Sequence, residues 1–142
     1  MKKIYSLLFF LICLPFFSAE AAPTQKVYMV LWNGCEEACR GFSDYLKASH
    51  ETIEIIRRDL GQKTDKIPQL LEEIKEQAPD LLVTWGTLAT LKILGTGDNG
   101  PVSQYGSIPA LFMVVSQPIE SGVVSSLVSQ GRNITGVMHL VP

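Results

Sequence analysis

The chain has 142 residues, with 12 basic and 14 acidic side chains and a formal charge of −2. Its Lys and Arg residues are scattered, which excludes a nucleic-acid surface built on a clustered basic face. The length supports one domain with a real core. Lys2 and Lys3 form a short basic start, and residues 4–17 are apolar apart from Tyr5 and Ser6. Ala19, Glu20 and Ala21 then supply an A-x-A site of small residues. That order is the pattern of a secretory signal peptide over residues 1–21, and the apolar run is too short for a bilayer, which takes about 20 residues. Ile12 stands where a lipid-attachment cysteine at position 13 would need a small neighbour. Removal of Lys2, Lys3 and Glu20 takes the basic count from 12 to 10 and the acidic count from 14 to 13, a formal charge of −3 for residues 22–142. The reading is an exported, periplasmic α/β domain with no second apolar span.

The mature part alternates apolar runs with amphipathic segments. Residues 27–31 read as a buried strand that stops at Asn33-Gly34. Residues 36–48 read as a helix, with Ala38, Phe42 and Leu46 on one face. Residues 52–57 are β-branched and strand-like, with Asp59 and Gly61 as terminators. Residues 66–77 read as a second helix, with Pro68 in its first turn and Ile67, Leu70, Leu71 and Ile74 as its apolar stripe. A short strand at 81–85 precedes Gly86, and a short helix covers 88–94. The glycine-rich stretch 95–107 is a loop. Residues 110–115 form an apolar strand, 119–128 a further helix broken by Gly131, and residues from 134 to 137 begin a last strand. Strands that are apolar throughout and alternate with helices predict a doubly wound, mainly parallel five-stranded sheet flanked by helices.

In such a sheet a ligand binds beyond the carboxyl ends of the strands. The loops there carry Trp32, Asn33, Asp59, Gly86, Thr87, Ser116 and Gln117, which are therefore the candidate ligand-binding residues. Three of these loops are expected to lead into helix N-termini, whose free N–H groups attract anions. On this reading Asn33, Thr87 and Ser116 hold an anionic part of a solute and Trp32 packs on its apolar part. Position alone does not separate this from ordinary turns and helix caps. No glycine-rich phosphate loop, dinucleotide fingerprint or nucleophile elbow is present, and no carboxylate pair is placed for acid–base work. The expectation is a binding protein with no catalytic residue, cofactor or resident metal.

Cys35 and Cys39 are a separate feature. They follow the first strand and open the first helix, where a thiol pKa is lowered. The i, i+4 spacing puts both sulfurs on one helical face, so a local disulfide, two buried thiols, a copper(I) site and thiol-redox work are all open. The alternative function is accordingly a periplasmic thiol-redox or copper(I)-binding protein, although no nearby histidine completes a metal site.

Several segments together resemble the ABC-transporter substrate-binding proteins of the type 1 periplasmic-binding-protein fold. They are Arg40-Gly41-Phe42, the run from Pro79 to Thr90 with its Gly86-Thr87, the run from Ile108 to Pro118 ending in Ser116-Gln117-Pro118, and Gly131-Arg132-Asn133-Ile134-Thr135-Gly136-Val137. They occur in the family's order over most of residues 22–142. The resemblance implies the N-terminal lobe of a two-lobed clamp that holds a small, amino-acid-like solute and docks on an ABC permease in the membrane. Two departures stand out. Gln117 replaces the family's Asp in the Ser-Asp-Pro turn, which leaves the solute preference open. The chain also stops at Pro142, just after the expected crossing to the second lobe, so the lobe reads as truncated and lacking its partner lobe.

Overall fold

The computed structural model describes residues 24–49, 52–97, 108–128 and 133–139. The expected signal peptide and most of the loop at 95–107 lie outside the described residues. Among these residues eight elements are formed: β1 (Gln25–Leu31), α1 (Glu37–Ser49), β2 (Ile53–Asp59), α2 (Ile67–Gln77), β3 (Leu81–Trp85), α3 (Thr87–Ile93), β4 (Ala110–Val115) and β5 (Ile134–Met138). The five strands make one sheet of order β2-β1-β3-β4-β5, and every adjacent pair is parallel.

Alternation along β1 explains the layers. Tyr28 and Val30 point to one face, where they join Leu70 and Ile74 of α2 and Ala89 and Ile93 of α3. Val27, Met29 and Leu31 point to the other, where Cys39, Phe42 and Leu46 of α1 cover them. Helices thus flank both faces, because a strand buried on both sides needs apolar partners on both. The edge strand β2 instead exposes Glu54, Arg57, Arg58 and Asp59, and such charges discourage edge-to-edge pairing. Helix α2 carries its proline in the first turn and ends at Ala78, whose φ of 42° is left-handed and whose N–H reaches the Ile74 carbonyl at 3.0 Å.

The helix expected at 119–128 is not formed. The chain makes one turn after β4, with Ser121 N–H on the Gln117 carbonyl (2.9 Å) and Gly122 N–H on the Ile119 carbonyl (2.9 Å), and then runs irregularly. Gly122 stops the turn by taking a φ of 74°. The adjacent Val123 and Val124 are both buried against the sheet. Leu127, expected on the apolar stripe, is 60% exposed. Asp59, read as a strand terminator, is the last residue of β2.

Two contacts fasten the two halves of the sheet. Gly136 in β5 faces Phe112 in β4 so closely that an added Cβ would overlap both the ring and the backbone carbonyl of Phe112. Gly136→Ala should therefore destabilise the domain by about 3 kcal/mol, read as a lower urea midpoint. Across the other half of the sheet, Glu73 of α2 pairs with Arg58 of β2 through two hydrogen bonds. Beneath them lies Tyr28, its ring 5.9 Å from the Arg58 guanidinium. Burial first, and then the Glu73 carboxylate, push the Tyr28 hydroxyl well above its usual pKa. The hydrogen bond from Arg58 holds the Glu73 carboxyl below its usual value. A carboxyl depressed in the folded state stabilises the fold above its unfolded pKa, and loses that contribution as pH falls through its folded pKa. Glu73→Gln should consequently destabilise at pH 7, and its effect should shrink as the pH is lowered below the usual carboxyl range, as measured by urea unfolding across a pH series.

Candidate functional site

The carboxyl ends of β1, β2, β3 and β4 form a continuous rim, because the backbone ladder carries on past the strands. Leu60 N–H bonds the Leu31 carbonyl (2.9 Å), Trp32 N–H the Trp85 carbonyl (3.0 Å) and Gly86 N–H the Met113 carbonyl (2.9 Å). Each loop is thereby pinned to its neighbour before its side chains are placed.

Asp59 and Gly34 join the first two loops. The Asp59 carboxylate accepts from Gly34 N–H through Oδ2 and from Gly61 N–H through Oδ1, both at 2.9 Å. Its role in the structure is to brace the loops after β1 and β2. Trp32 is half-buried and packs against the α2–α3 face of the sheet. Its Cβ lies so near Gly86 that a Cβ built there would come within 3.2 Å of it, and Gly86 has a φ of 95°. Any other residue at 86 would meet both strain and Trp32. Thr87 opens α3, and its Oγ1 accepts from Ser116 N–H at 3.0 Å, linking the loops after β3 and β4. Behind it, the buried hydroxyls of Thr84 and Thr90 are 2.9 Å apart, and Thr90 donates to the Gly86 carbonyl.

The structure therefore brings Trp32 to Gly86, Thr87 to Ser116, and the Asn33-Gly34 turn to Asp59. Asn33 and Gln117 are exposed on the same rim. Gln117 takes a φ of 48° and uses its carbonyl in the turn that follows. The anion-attracting termini are fewer than expected: Ser116 to Pro118 leads into a single turn, and the first turn of α1 carries Glu37.

Sequence reasoning missed the part of the rim on the α1 side. A bulge between Met113 and Val115 leaves Val114 unpaired with a φ of 56°, a strained value for a β-branched residue. Val114, Glu36, Glu37, Ala38 and His139 line a concavity of about 700 Å³ there. Trp85 Nε1 donates to Glu36 Oε1 at 3.1 Å, a pairing across 49 residues that no local pattern announces. The smaller recess of about 370 Å³ around Pro109 and Asn133 sits at the opposite, amino end of the strands.

Cys35 and Cys39 form a disulfide. Cys39 is fully buried against the sheet, whereas Cys35 is half-buried with Arg57 Nη1 at 3.5 Å from its sulfur. Among the described residues no cluster of three His, Cys, Asp or Glu side chains is disposed to hold a metal ion, and no helix is long and apolar enough to cross a membrane.

The bracing role of Asp59 is directly testable. Asp59→Ala should destabilise the domain by about 1.5 kcal/mol through loss of two charge-assisted hydrogen bonds. In hydrogen-exchange experiments, protection should fall selectively at the amides of Gly34 and Gly61.

No protein-family model matches the sequence, and neither does any curated protein. Solved structures do match. A ligand-free, open substrate-binding protein with adhesive properties from Clostridium difficile is 20% identical, with a TM-score of 0.66 over 82% of this chain and 39% of its own. A conserved domain protein from Vibrio cholerae is 22% identical, with a TM-score of 0.69 over 84% and 40%. An ABC domain in complex with L-Trp from Streptococcus pneumonia is 18% identical, with a TM-score of 0.64 over 81% and 38%. The chain thus spans about two-fifths of the length of the structures it matches, and what they share with it is the fold: a five-stranded parallel α/β sheet built like one lobe of a substrate-binding protein.

Proposed function

We propose that this chain is the exported solute-binding lobe of an ABC-type importer, acting by binding and not by catalysis. The observation that carries the reading is the rim itself. Trp32, Gly86, Thr87 and Ser116 come together at the carboxyl edge of a parallel sheet, where open α/β folds hold their ligands. Trp32 supplies an aromatic surface and the loops after β3 and β4 supply hydroxyls and backbone N–H groups. The solute on this reading is small and amino-acid-like, in line with the L-Trp bound by one of the similar structures. The basic, apolar and small-residue order of residues 1–21 supports export, and a membrane permease is the partner that would receive the solute.

The rim makes one wall of a cleft. High-affinity pockets bury most of their ligand, so a second lobe is needed for tight binding, and this lobe alone binds weakly, with a dissociation constant on the order of 1 mM. Nuclear magnetic resonance titration of the chain with L-amino acids should shift the Trp32 indole and the amides of Thr87 and Ser116 together. Thr87→Ala combined with Ser116→Ala should abolish those shifts while leaving the remaining spectrum folded. Shifts clustered elsewhere would sink the site assignment, and submicromolar binding by calorimetry would sink the single-wall reading.

A further inference from the structure

We infer that the Cys35–Cys39 disulfide is an exchangeable bond, opened by a small external dithiol while the domain stays folded, with Cys35 as the reacting sulfur. The inference stands whether or not the rim binds a solute.

The two sulfurs occupy opposite environments. Cys39 sits in the first turns of α1, fully buried among Val27, Met29, Leu31, Val83 and Trp85. A neutral thiol fits such a site as a small apolar side chain. Cys35 lies in the loop after β1, half-buried, 3.5 Å from the Arg57 guanidinium. Arg40 reaches the same residue, donating to the Cys35 carbonyl at 2.9 Å. A thiolate at Cys35 is therefore met by positive charge. Of the two neighbouring carboxylates, Glu36 is held toward β3 by Trp85 Nε1, and Glu37 is exposed in the first turn of α1.

The bond also closes only a short loop, with a sequence separation of 4, so it constrains the unfolded chain little. The contacts of Phe42 and Leu46 with the sheet do not run through it, nor do the hydrogen bonds from Gly34 to Asp59 and from Trp85 to Glu36. Opening it leaves these in place, and the Arg40 hydrogen bond to the Cys35 carbonyl still joins the loop after β1 to the first turn of α1. The exchange balances as follows. A thiolate of the dithiol attacks Cys35 Sγ, the Cys35–Cys39 bond breaks, and Cys39 leaves with the electron pair and takes up a proton. The second thiol of the reductant then attacks its own mixed-disulfide sulfur and releases the Cys35 thiolate, so the dithiol is oxidised by two electrons to a disulfide.

The test uses the full chain with dithiothreitol, quenching with iodoacetamide and peptide mapping that separates Cys35 and Cys39 from Cys13. Reduction should proceed with an unchanged far-ultraviolet circular dichroism spectrum. Cys35 should then alkylate about tenfold or more faster than Cys39. Arg57→Met should slow Cys35 alkylation severalfold, and Arg57→Lys should restore much of it. Reduction that occurs only with loss of the folded spectrum would overturn the proposal, as would equal alkylation of the two cysteines or an unchanged rate in Arg57→Met. Should Arg57→Met fail to fold, the first two measurements on the unsubstituted protein decide the matter.

Discussion

Strand β1 is paired with β2 along its length and with β3 from Val27 to Leu31, and those same five residues are buried. A parallel ladder leaves donors and acceptors unpaired where its strands end, and buried backbone groups must find partners. Here the loops supply them. Leu60, Trp32 and Gly86 each donate a backbone hydrogen bond to the carbonyl of a neighbouring strand's last residues. The ends of β1, β3 and β4 thereby fix where three separate loops begin, and the rim is a consequence of satisfying the sheet.

Much of the polar chemistry on that rim is committed to holding it in shape. Asp59 spends both carboxylate oxygens on backbone N–H groups, and Thr87 accepts from Ser116. Gly86 is set by its backbone angle and by Trp32. Such internal bracing is what allows a loop-built site to be rigid before a ligand arrives, since each group that is already positioned adds no ordering penalty on binding. The disulfide differs in kind. It joins a buried sulfur to a half-exposed one beside a cation.

The strands and the first three helices were legible because their signals are local. Val27 to Leu31 is apolar without interruption, Phe42 and Leu46 share a helical face, and Pro68 and Pro79 bracket α2. The failure at 119–128 has the opposite cause. Val123, Val124 and Leu127 mimic a helical stripe, yet the sheet takes both valines and leaves Leu127 in solvent, so tertiary packing overrode a weak local preference. The candidate rim residues were located as the loops that follow each strand, which placed them at the carboxyl edge but did not tell bracing from binding. Only the coordinates assign Asp59 and Thr87 their hydrogen-bond partners. The pairing of Trp85 with Glu36 and the approach of Arg57 to Cys35 join residues far apart in sequence, and periodicity has no access to such contacts.

The sequence by itself determined the class of fold and the order of its five strands and first three helices. It could do so because hydrophobic period and turn residues act over a few neighbours. Tertiary structure decided the strand order β2-β1-β3-β4-β5, the bulge at Val114, the close fit of Gly136 on Phe112 and the unequal exposure of the two cysteines. These depend on which non-local surfaces meet once β1 is buried on both faces, and that choice is made by packing the whole domain at once.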